Sequence, residues 1–103
     1  ADDSVDFTGT HGTDFAAVIE ATGTVANAAA LIPADFASIG AALGTVTTGG
    51  AEKFVFFVNT ADGAASGVYL ATLAGANVDD LVDAEIQLLG IITDNIVAAD
   101  ASF

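Results

Sequence analysis

The order of signals along this 103-residue chain predicts an α+β domain in which two short N-terminal helices, related by an internal repeat, precede an antiparallel β-sheet. Three observations carry that expectation. Residues 14–25 (DFAAVIEATGTV) align without gaps on residues 35–46 (DFASIGAALGTV), with seven of twelve positions identical at a period of 21. Apolar residues in each copy fall at helical spacing: Phe15, Val18 and Ile19, then Phe36, Ile39 and Leu43. Beyond Gly49 the pattern changes to apolar runs of strand length separated by turn residues.

The helices are expected over about 13–22 and 34–43, from this spacing. Asp14 and Asp35 open the two copies and suit a helix N-terminus, where a carboxylate accepts otherwise orphaned amides. Capping explains these residues better than a ligand role. Pro33 stands just before the second copy, where a first-turn proline is tolerated. Gly23 and Gly44 end the copies and suit a left-handed C-cap. Residues 24–32 are ambiguous, since their alanines favour helix while Thr24, Val25, Leu31 and Ile32 could be strand ends. Two copies fall short of the three or so units a solenoid needs, so a duplicated element within one domain is the simpler reading.

In the second half, residues 45–48 and 51–59 flank Gly49-Gly50 and read as a hairpin with a two-residue turn. The unbroken run from Phe54 to Val58 reads as a central strand covered on both faces. Turn chemistry occupies 59–63. A strand is expected over 67–73, with Tyr69, Ala71 and Leu73 on one face and Val68, Leu70 and Thr72 on the other. Residues 77–84 read as an acidic connection with a helical turn, and 85–93 as the returning strand. The expected organisation is an extended segment over 1–12 and a single domain over 13–103.

Composition bounds function more than fold. Fourteen carboxylates against one basic side chain, Lys53, give a net charge of −13, while 53% of the chain is hydrophobic and Cys and Met are absent. Disorder is not expected, because Val, Ile, Leu and Phe are plentiful and the acids are spread out. Self-repulsion weakens as the Debye length falls from roughly 30 Å at 0.01 M salt to about 8 Å at 0.15 M, so salt or divalent cations should favour folding and assembly. With a single cation the chain is not expected to bind nucleic acid or anionic membranes. No apolar stretch is long enough for a transmembrane helix, and no basic-then-apolar N-terminal signal is present.

Catalytic motifs are missing. His11 is the only imidazole, so a His-based metal site or a Ser-His-Asp triad has little to draw on. The sequence contains neither GxSxG nor a phosphate-binding glycine motif. Asn77, Asp79, Asp80, Asp83 and Glu85 place five oxygen donors within nine residues, the donor type calcium prefers. Their spacing fails the EF-hand template, and a solvated acidic loop is the plainer reading. Asp62, with Asn59 and the Thr60 carbonyl nearby, is a weaker calcium candidate.

The succession KFVFFVN, GVYL, NVDDLVDAEIQLLG and IVAADASF over about residues 36–103 resembles the C-terminal region of bacterial RTX-like proteins exported by type I secretion. Their calcium-binding glycine-rich nonapeptides are absent here, so that calcium chemistry does not carry over. The resemblance implies an uncleaved C-terminal export signal that includes Asp100, Ser102 and Phe103, a type I transporter as partner, and an extracellular or cell-surface location. Two functional expectations remain, the first resting on composition: many small residues, a long apolar strand and an extended N-terminal piece over residues 4–8. In one, the chain is a secreted structural protein that self-assembles into a filament or surface layer, with Val5 and Phe7 as anchors of a donated strand. In the other it is the C-terminal secretion and folding module of a larger, calcium-associated exported protein.

Overall fold

The structure, a computed structural model, describes residues 4–7 and 15–93, with the side chains of 20–21 and 23–93. Its strands are β1 (Ser4–Phe7), β2 (Phe15–Val25), β3 (Thr45–Thr48), β4 (Glu52–Thr60), β5 (Ser66–Leu73) and β6 (Ile86–Ile92). One helix, α1 (Ala37–Leu43), and two 3₁₀ turns, Ala28–Leu31 and Asp83–Glu85, complete the described elements. Four strands form a sheet in the order β2-β4-β5-β6, and β1 and β3 form a separate pair.

The expectation of two N-terminal helices followed by an antiparallel sheet is therefore corrected to a mostly β domain with a mixed sheet. The second repeat copy forms α1, shorter than expected at its start. The first copy is β2, which runs parallel to β4 with Ile19 in register with Phe56 and Val18 with Val55. Composition separates the two copies. Where the first has Ile19, Glu20 and Thr22, the second has Gly40, Ala41 and Leu43, so the β-branched share favours strand in the first. Tertiary demand does the rest, since a helix of about ten residues is marginal alone while β4 is apolar enough to need a neighbour on each side.

The hairpin across Gly49-Gly50 is also corrected. Both edges of β4 are taken, by β2 and by β5, so β3 turns away at the glycine pair and joins β1 in parallel, Val5 opposite Val46 and Phe7 opposite Thr48. The remaining strands lie close to where their apolar runs place them. β4, β5 and β6 form an antiparallel meander, with Phe56 opposite Tyr69 and Tyr69 opposite Leu88. A bulge at Leu89 shifts the register of β6, so Gly90 faces Val68.

The core lies between one face of this sheet and the layer formed by α1, the first 3₁₀ turn and β3. Phe54, Phe56, Val58, Tyr69, Ala71 and Ile86 from the sheet meet Leu31, Ile39, Leu43, Val46 and Leu81. Each such large side chain, fully buried, contributes about 1.5–3 kcal/mol. Tyr69 stacks on Phe56 at 5.3 Å and meets the edge of Phe36 at 6.1 Å, and its hydroxyl donates to the Leu31 carbonyl at 2.7 Å. That bond removes the penalty of burying a phenol. The helix packs closely because glycines permit it. A Cβ on Gly23 would stand 2.7 Å from the Ala42 carbonyl oxygen, and one on Gly40 would strike the Leu81 carbonyl.

Candidate functional site

β3 is the strand around which the candidate residues gather. On one side it carries β1; on the other it holds the acidic connection. Asn77 exchanges backbone hydrogen bonds with Thr48, its amide donating at 3.2 Å and its carbonyl accepting at 2.9 Å. The Asn77 side-chain nitrogen donates to the Val46 carbonyl at 2.6 Å and the Asp79 carbonyl at 2.7 Å. Val46 N–H donates to the Asp79 carbonyl at 3.1 Å, and the Thr45 hydroxyl donates to Asp80 Oδ1 at 3.4 Å. The connection is thus laid along β3 as a short irregular ribbon.

Farther along, the carboxylates serve separate amides. Asp83 Oδ1 accepts from Phe36 N–H at 2.8 Å, at the entry to α1. Glu85 Oε1 accepts from Val82 N–H at 2.9 Å, closing the second 3₁₀ turn. Asp35 Oδ1 accepts from Ala37 N–H at 2.9 Å, which is the local part of the same helix start. These contacts supply acceptors that the first turn of a helix lacks.

The five expected donors, Asn77, Asp79, Asp80, Asp83 and Glu85, therefore share a loop without converging. Among the described residues no three Asp, Glu or His side chains come together as a ligand set for a metal ion. Asp62 has its own task. Its Oδ1 accepts from the Thr60 hydroxyl at 2.6 Å and from Ala64 N–H at 3.0 Å, and these bonds lower its pKa below the usual carboxylate value. It organises the turn between β4 and β5, whose Gly63 adopts φ 76.

Val5 and Phe7, expected as assembly anchors, lie on β1 against β3 of the same chain. Asp100, Ser102 and Phe103, expected in an export signal, lie outside the described residues, as do His11 and Asp14.

Two features escaped sequence reasoning. The Asp83–Phe36 bond spans 47 residues and has no local signal. Glu52, only 1% exposed, begins β4 on the same face as Phe54 and Phe56. Period-two alternation, traced back one step from Phe54, would have found it.

No family model matches the chain, and neither a curated protein nor a solved structure is significantly similar to it. No helix among the described residues is long and apolar enough to cross a membrane.

Proposed function

We propose that the chain is a secreted, non-catalytic structural subunit that polymerises by exchanging its N-terminal strand. The observation that supports this most is the attachment of β1. Its four residues pair with β3 alone among the described strands, outside the four-stranded sheet. Backbone hydrogen bonds of that kind are indifferent to which copy supplies the strand. Seven residues, 8–14, separate β1 from β2, a reach of about 25 Å when extended. That reach lets β1 of one copy lie on β3 of the next, with Val5 and Phe7 setting the register. The contact is heterologous and propagates unless it closes into a ring.

Charge then controls growth. Copies of a −13 chain repel, and added salt or calcium weakens the repulsion as a diffuse counter-ion without needing a built cage. The test is electron microscopy of the intact chain beside a Val5→Pro variant and a chain lacking residues 1–10, each checked for folding by circular dichroism. Filaments or layers that disappear in folded variants are expected; unchanged particles would overturn the reading.

The export-module reading requires the whole chain rather than its second half. Ala21, Leu31, Ile39, Leu43 and Val46 all contribute to the core beneath β4 and β5, so residues 50–103 alone would leave that face bare. Fusion of the full chain to an inert passenger, with export through a type I transporter as readout, tests it. Retention of the passenger in the cell would rule it out.

A further inference from the structure

We infer that the outer edge of β6 is a self-recognition site, at which two copies of the chain pair antiparallel about a two-fold axis through Leu88. Among the described residues β6 pairs only with β5, so it is an edge of the four-stranded sheet. Edges exposed to water normally carry charge or proline, which discourage pairing. Ile86–Ile92 (IQLLGII) has neither. Leu89 is 51% exposed, Ile91 37% and Ile92 39%. The bulge at Leu89 is a device that can blunt an edge, yet the bulged residue is itself apolar and exposed, which gives a partner strand something to bury.

Charge selects a second copy as the occupant. A chain of −13 cannot approach itself where carboxylates would meet, and β6 is a neutral window of seven residues in that surface. The bulge puts Ile86, Leu88 and Ile91 on one face of the strand and Gln87, Gly90 and Ile92 on the other, so in the two-fold register Leu88 meets Leu88 of the other copy, Ile91 meets Ile86 and Gly90 meets Gln87. Glu85 falls opposite Ile92, so no acid in the paired stretch faces another acid. A basic partner would find no counter-charge along this strand. The pairing would join two four-stranded sheets into one of eight strands. A strand-edge contact is small beside the roughly 1,200–2,000 Å² of stable interfaces, so the dimer is a concentration-dependent one. It does not depend on exchange of β1: that contact propagates, whereas this one closes.

Sedimentation of the full chain carrying Val5→Pro, over a range of concentrations, separates the two contacts. A monomer–dimer equilibrium that strengthens with salt is expected. Ile92→Asp sets a carboxylate opposite Glu85 twice in the dimer and should weaken it about fivefold more than Ile92→Asn does, and Leu89→Lys should leave monomers with unchanged circular dichroism. A monomer at every concentration would overturn the proposal, as would dimers indifferent to charge at position 92 or growth beyond dimers in the Val5→Pro background. Filaments that persist despite Val5→Pro would instead count against strand exchange.

Discussion

Asp83 accepts the Phe36 amide at 2.8 Å across 47 residues of sequence, so the acidic connection supplies an acceptor at the start of α1 that the helix's own residues do not. Ala37 is served locally by Asp35 and Phe36 remotely by Asp83. The remote carboxylate ties the repeat-derived helix to the meander's longest connection. Removing the remote one tests the tie. Asp83→Ala should cost about 1 kcal/mol in denaturant unfolding, within the range for lost helix caps, and Asp83→Asn should recover part of it. For a domain of this size that is a fall in Tm of about 4–8 °C.

Tyr69 makes stability sensitive to alkaline pH. Burial raises its pKa well above the ordinary value. The folded state therefore keeps a proton that the unfolded chain releases near pH 10, and this contribution is complete below about pH 10 and lost above it. Denaturant midpoints measured between about pH 9 and pH 12 should fall for the intact chain and stay flatter for Tyr69→Phe. As Tyr69 is the only tyrosine, tyrosinate absorbance reports the same event directly. Tyr69→Phe should also cost about 1–3 kcal/mol at neutral pH, because the Leu31 carbonyl loses its donor inside the core.

At Gly40 the helix and the acidic connection touch. Helix propensity alone would make Gly40→Ala stabilising by about 1 kcal/mol. The added Cβ would strike the Leu81 backbone carbonyl, which cannot yield as a flexible side chain would. We therefore expect net destabilisation of about 1–3 kcal/mol, as for other overpacked sites, with hydrogen exchange fastest around residues 77–83.

Asp62 offers an acid-side check. Thr60 and Ala64 hold its pKa down in the folded state, so its contribution is present above the unfolded carboxylate pKa and lost as pH falls through the folded one. An NMR titration should place the Asp62 carboxyl below the ordinary value of 3.8, and Thr60→Val should move it upward.

How far the chain could be read in advance follows from where its information is local. The β4, β5 and β6 runs are apolar enough, and bounded sharply enough by turn residues, that their extents were legible within about two residues. So was the alternation that puts Tyr69, Ala71 and Leu73 on the core side of β5. The repeat was misleading because near-identity of sequence does not fix conformation in segments this short. Gly23 and Gly44 hold the same repeat position, yet Gly44 ends a helix at φ 93 while Gly23 lets a strand approach Ala42. Among the candidate donors, proximity along the chain was legible, but their hydrogen-bond partners were not.

The sequence by itself determined a folded, strongly acidic domain of about this size, the three meander strands, the helix in the second repeat copy and an acidic connection between β5 and β6. Periodicity and composition are properties of neighbouring residues, and they survive without knowledge of the rest. Only the tertiary structure decided that the first copy is a strand, that β3 leaves β4 for β1, and that the acidic connection staples β3 to α1. These outcomes depend on which strand edge remains available and which amide lacks an acceptor. Both are settled by competition among parts of the chain 35 to 47 residues apart, and no local pattern records the result.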